Sequence, residues 1–184
     1  MWHHFNYDAA AEMRKKYIPI EKVLQIVNPS GGDTIMDIGG GDGHYSVVFS
    51  QHCDKVIYVD PSSPAVDLMR KRTEASQGKI EIYHDDICHM ALPRGFNKVF
   101  FSNSFHDIHC RDELISRLAD NGNDVKFALI EFMKDADIGP PDFVKIGPDE
   151  LDSIFSKHGY SMEKREILEK HYISLYSRKS PVRN

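Results

Sequence analysis

Nothing in the 184-residue chain approaches the roughly 18 to 20 consecutive apolar residues that a membrane span requires, so no membrane partner is expected. The N-terminal run MWHHFNYDAAAEMRKKY has neither a continuous apolar stretch nor a cleavage pattern, so no secretory signal is read and the chain is placed in the cytoplasm. An excess of basic charge is missing too. Lys and Arg number 23 against 28 Asp and Glu, a net charge of -5, which argues against a face built for phosphates and hence against a nucleic-acid partner. The short basic clusters MRKKY and MRKR read as solvated helix faces. Cysteine is scarce: Cys53, Cys88 and Cys110 are widely spaced, odd in number and without a CxxC pair, which fits a reducing compartment better than a disulfide framework. Internal repeats and low-complexity tracts are absent. The length suits one domain, with residues 1–30 as a leading helical segment or lid, 31–178 as the core and 179–184 as a tail.

What is present is alternation. Short Val/Ile/Phe/Tyr-rich runs at Thr34–Ile38, Lys55–Val59, Lys79–Tyr83, Lys98–Ser102 and Phe127–Phe132 predict parallel strands covered on both faces. Between them Tyr45–Cys53, Ala65–Glu74 and Asp112–Ala119 carry helical patterns. A further helix is predicted over Asp149–His158, ended by Gly159, then a hairpin of Ser161–Leu168 and His171–Ser177. The expected fold is therefore α/β: a doubly wound, mostly parallel seven-stranded sheet, helices on both faces, and one antiparallel strand in the C-terminal hairpin. Right-handed crossovers place the strands' C-terminal ends on one edge, where ligands bind.

The segment TIMDIGGGDGHYS, Thr34 to Ser46, holds Gly39, Gly40, Gly41 and Gly43 just after the first strand. Glycine tolerates positive φ and lets a ligand touch the backbone, and a following helix N-terminus offers free N–H groups. The pattern predicts a nucleotide-like cofactor. It does not match G-x-G-x-x-G, because His44 or Ser46 stands where the third glycine belongs, and no GK[ST] follows as in a phosphate loop.

The D-x-G-x-G-x-G across Asp37, Gly39, Gly41 and Gly43 resembles motif I of the class I, Rossmann-like S-adenosylmethionine-dependent methyltransferases, and FSNSFHD resembles a segment of the type 11 kind. The resemblance spans about residues 30 to 178. It implies S-adenosyl-L-methionine as cofactor, Asp60 of VIYVDP on its ribose with Pro61 beside it, and Asp86 or Asp85 with Ile87 near its adenine. It also implies Tyr45 at the cofactor, Asn103 and Ser104 near its methionine moiety, and methyl transfer to a small-molecule acceptor. His106 and Asp107, at the end of the fourth strand, are the nearest candidates for a base if the acceptor must lose a proton. Trp2, Phe5 and Tyr7, with the Asp135–Gly147 loop, are expected to roof the acceptor.

Simpler readings stand beside these. Asp37 serves equally well to cap the glycine loop, and Asp60 to start a helix. HDIHC looks like half of a metal site, but no second cluster follows at zinc-ligand spacing, so no metal is expected. Cys88 and Cys110 fall at the ligand edge, where a thiol role toward a soft substrate competes with plain burial. A cofactor-binding protein without transferase activity and, less favoured, an NAD-dependent oxidoreductase are the alternative functions.

Overall fold

The computed structural model describes residues 5–73, 78–121 and 124–178. Trp2 lies outside them. Two helices lead, α1 (Tyr7–Tyr17) and α2 (Ile20–Val27). The leading helical segment consists of two helices because Pro19 cannot continue the first and caps the second instead. Asn6 caps α1 by accepting the Ala9 amide, and Asn28 closes α2 in the left-handed conformation.

The core follows as β1 (Thr34–Ile38), α3 (His44–Ser50), β2 (Lys55–Val59), α4 (Ser63–Thr73), β3 (Ile80–Tyr83), β4 (Lys98–Ser102), α5 (Arg111–Asp120), β5 (Lys126–Phe132), α6 (Pro148–Lys157), β6 (Tyr160–Ile167) and β7 (His171–Arg178). The seven strands lie in the order β3-β2-β1-β4-β5-β7-β6. Only β7 opposes the rest, pairing antiparallel with both β5 and β6. The predicted fold class is what the chain adopts, with ends displaced by a residue or a few: α3 stops at Ser50, not Cys53, and β3 starts at Ile80, not Lys79.

Strand side chains alternate between two apolar layers, as a sheet buried on both faces requires. Met36, Ile57, Val99, Phe101, Phe127 and Leu129 pack with Leu114, Ile115 and Leu118 of α5 and Leu151 and Phe155 of α6. On the other face Ile35, Val56, Phe100 and Ile130 meet Val23 and Val27 of α2 and Phe49 of α3. The strand order reverses between β1 and β4. The C-terminal ends of β1 and β4 flank that switch point, the place where ligands bind in open α/β sheets.

Candidate active site

β1 ends under the glycine loop. Gly39, Gly41 and Gly43 all have positive φ, and the Gly39 amide donates to the Val59 carbonyl at 2.8 Å. The glycines are not all needed for the same reason. A Cβ on Gly43 would lie 1.9 Å from the Met69 sulfur, and one on Gly40 2.5 Å from the Tyr58 ring, so these two serve packing. Among the described residues, nothing lies nearer to a Cβ on Gly41 than Tyr7, 3.8 Å away, so Gly41 has open space beside it.

Three carboxylates surround this loop. Asp37 is buried; one oxygen accepts from the Ser46 hydroxyl at 2.6 Å and the other, Oδ1, has no hydrogen-bond partner among the described residues. Desolvation, with Asp60 and Asp42 adding repulsion, pushes its pKa up to about 7. Asp60 follows β2 and holds the loop directly: the Gly41 amide donates to Oδ2 at 2.9 Å and the Ser62 amide to Oδ1 at 2.8 Å. It is at once a turn cap and a carboxylate at the ligand edge, and burial raises its pKa. Asp42 takes both guanidinium nitrogens of Arg14, at 3.1 and 2.8 Å, and one of Arg72 at 2.9 Å. Burial alone would raise its pKa, but the two arginines outweigh it and lower it. Arg14 ties α1 and Arg72 ties α4 to the loop, and the Tyr7 hydroxyl bonds that of Ser62 at 3.0 Å.

The remaining candidates divide. Asp86 closes a turn after β3, accepting from the Cys88 amide at 2.9 Å and facing His89 Nδ1 at 3.2 Å. Asp85 is exposed and accepts the Asp86 amide, while Ile87 is buried in the core beneath them. Pro61 is exposed beside His84, which approaches its carbonyl. Tyr45 is buried against Phe49 and Phe100 with Arg14 over its ring. Asn103 has φ 51, a left-handed conformation uncommon for a residue other than glycine, and its buried Oδ1 is unpartnered. Ser104 donates to the Ile38 carbonyl at 2.8 Å and so closes the end of β1 onto β4.

His106 does not face solvent. It sits in a short 3-10 turn (Phe105–Asp107), its side chain 5% exposed, with Nδ1 2.7 Å from Glu131 Oε2, while the His106 amide donates to Glu131 Oε1 at 3.1 Å. Desolvation disfavours the charged ring, but the buried Glu131 carboxylate outweighs it and raises the His106 pKa. Asp107, its partner in the sequence reading, is 75% exposed and lies 3.6 Å from His106 Nε2. Glu131 was not among the candidates, although a lone acid inside the apolar run FALIEF was a signal.

Asp42, Arg14 and Arg72 were missed as well. The largest correction concerns cysteine: Cys88 and Cys110 form a disulfide, leaving Cys53 buried as the free thiol. Bonds between residues distant in sequence leave no local pattern.

Residues 35–122 match the family model described as a methyltransferase domain. That stretch is similar to a methyltransferase domain. An rRNA adenine N-6-methyltransferase from Bacillus licheniformis is 33% identical over 89 residues, which cover 48% of this chain and 30% of that protein. The chain thus spans about a third of the length of the curated relatives it matches. Among solved structures, a SAM-dependent methyltransferase from Aquifex aeolicus is 19% identical with a TM-score of 0.82, over 95% of this chain and 100% of the other. A structure assigned to the type 11 methyltransferases, from Sulfolobus solfataricus, is 22% identical with a TM-score of 0.72, over 91% and 96%. These two likenesses bear out the fold, and with the domain match they bear out the resemblance to the class I, S-adenosylmethionine-dependent methyltransferases of the type 11 kind.

Proposed function

We propose that the protein binds S-adenosylmethionine at the β1 glycine loop and methylates a small acceptor, with His106 as the base. The observation that carries the cofactor site is the open Gly41 position ringed by Asp37, Asp42 and Asp60. A buried carboxylate oxygen without a partner calls for a donor or a cation, and the arginines at the loop already belong to Asp42. The donor set suits a ligand with a cationic amino acid end and ribose hydroxyls. Asp60 would hold the ribose, Asp86 the adenine edge, and the left-handed turn at Asn103 the methionine end. When bound, S-adenosylmethionine supplies an electrophilic methyl group on a sulfonium.

The chain's own task is to orient the acceptor, exclude water and take a proton. His106 Nδ1 faces Glu131, so Nε2 is the atom left to accept a proton. Phe132 meets His106 edge-on and His171 at a tilt, and a Cβ on Gly139 would strike its ring at 2.5 Å, so the IGPP loop packs directly on it. The same loop presents Phe143, 87% exposed. An apolar wall of this kind, with an acidic surface, favours a small, partly aromatic acceptor over RNA. An rRNA acceptor is the second reading, favoured by the Bacillus relative. A labelled methyl-transfer screen over metabolite pools and total RNA decides: label in RNA alone sinks the small-molecule reading.

Asp60→Ala is expected to weaken S-adenosylhomocysteine binding by roughly 2 to 3 kcal/mol, through loss of charge-assisted bonds to ribose. Calorimetry giving an unchanged Kd would leave Asp60 only the Gly41 and Ser62 amides.

The His106 pair sets a pH dependence. Its pKa lies above the ordinary 6.5 because of Glu131, so turnover should rise with pH through that raised value as the ring becomes a base. Glu131→Gln should shift this limb to lower pH. The stability linkage has the opposite sign: what the pair contributes is fully present below the ordinary histidine pKa and fades as pH rises through the folded value. A pH–rate profile unmoved by Glu131→Gln would separate His106 from the proton transfer.

A further inference from the structure

The sequence offered HDIHC as half of a metal site and no second half. The fold supplies one. The turn after β3 carries Cys88-His89 and the start of α5 carries His109-Cys110, and the disulfide brings the two dipeptides together with a Cα–Cα distance of 5.9 Å. Cys88 Sγ lies 3.9 Å from His109 Nδ1, and the rings of His89 and His109 are 6.1 Å apart between centroids. While the cysteines are joined, no three His, Cys, Asp or Glu side chains among the described residues are arranged to hold a metal ion. We propose that reduction of Cys88–Cys110 creates a zinc site of two thiolates and two imidazoles, from Cys88, His89, His109 and Cys110.

Three observations support it. The first is spacing. Tetrahedral zinc with Zn–S near ~2.3 Å and Zn–N near ~2.0 Å sets sulfur and nitrogen roughly 3.6 Å apart, close to the Cys88–His109 separation already present. The two sulfurs need to part to about 3.8 Å, a side-chain rotation that the cysteine backbone spacing permits. His89 is 74% exposed and is held on one side by Asp86.

The second is that the backbone does not depend on the disulfide. Arg117 of α5 donates to the carbonyl of Cys88 at 2.9 Å and of Met90 at 2.6 Å, and the Leu114 amide to that of Cys110 at 2.8 Å. Reduction therefore leaves both dipeptides in place. The third is Asp86, whose carboxylate sits 3.2 Å from His89 Nδ1. A carboxylate behind one ring nitrogen orients the other toward a metal and raises its basicity. Two sulfurs and two nitrogens in a tetrahedral array select zinc among common divalent ions.

The chemistry balances. A dithiol reductant gives two electrons and two protons to the Cys88–Cys110 bond and leaves as its own disulfide; zinc capture then expels the two thiol protons. The proposal shares Asp86 with the cofactor reading, and its metal-binding test needs no methyl transfer.

The test uses the full chain without a histidine tag, reduced and freed of reductant under anaerobic conditions. Denatured, it should titrate as three thiols when reduced and one when oxidised. Cobalt(II) serves as probe: the reduced protein should take up one equivalent with thiolate charge-transfer absorption and intense tetrahedral visible bands, bleached by zinc. The oxidised protein should show neither. Cys110→Ser should roughly halve the charge-transfer absorption per bound cobalt and weaken uptake, His109→Ala should weaken binding at least ~10-fold, and Asp86→Asn by roughly 10- to 100-fold. Reduced protein with all three thiols titrating but no cobalt spectrum overturns the proposal. So does cobalt affinity unchanged in both His89→Ala and His109→Ala, which would leave two sulfurs and no site.

Discussion

His106→Ala is expected to lower methyl-transfer turnover by roughly 10²- to 10⁴-fold while the Kd for S-adenosylhomocysteine barely moves, which is the signature of a lost general base. The ring is buried beside Glu131 at the ligand edge and lies beyond the loop that the cofactor would occupy. Alanine also strands Glu131 without its partner, and an unpaired buried charge costs about 3 to 5 kcal/mol of stability. His106→Gln separates the two effects, since its amide can still donate to Glu131 but cannot accept a proton in the pH range of the assay. Equal loss of turnover in both folded variants supports the base. Turnover restored by glutamine assigns His106 to positioning alone, and a parallel loss of turnover and cofactor affinity assigns it to packing.

Gly41→Val is expected to abolish cofactor binding, and Gly43→Ala to damage the fold. The two positions lie two residues apart in one loop with φ of 55 and 74. At 41 a side chain points into space bounded by Tyr7 at 3.8 Å, so valine costs backbone strain of order 1 to 2 kcal/mol but meets no protein wall. Its branched side chain would instead fill the volume left for the ligand. At 43 even a methyl group drives into the Met69 side chain where α3 and α4 pack, so the loss appears in thermal stability. Circular dichroism melts and calorimetry with S-adenosylhomocysteine, run on both variants, check the division. Full affinity in folded Gly41→Val removes the steric argument.

Much of this was legible without coordinates. The strands could be read because β1, β2, β4 and β5 are buried on both faces, which forces near-continuous apolar runs. The glycine loop could be read because positive φ and close packing both exclude side chains, and Asp60 because it stands at a strand end fixed by the same periodicity. The break at Pro19 was legible in principle and was passed over because helical spacing continues on both sides of it.

The sequence by itself therefore determined the sheet, the loop and the likeness to the methyltransferases, since each is encoded within a few consecutive residues. Only the tertiary structure decided what surrounds them. His106 meets Glu131 because β4 and β5 run in parallel with Ser102 opposite Ile130, which sets the next residue of β5 beside the turn leaving β4. Arg14 and Arg72 reach Asp42 from two different helices, and Cys88 reaches Cys110 across the switch-point edge. These contacts depend on strand order and register, which are settled by how the whole hydrophobic surface is buried, and that is a property no short window of residues contains.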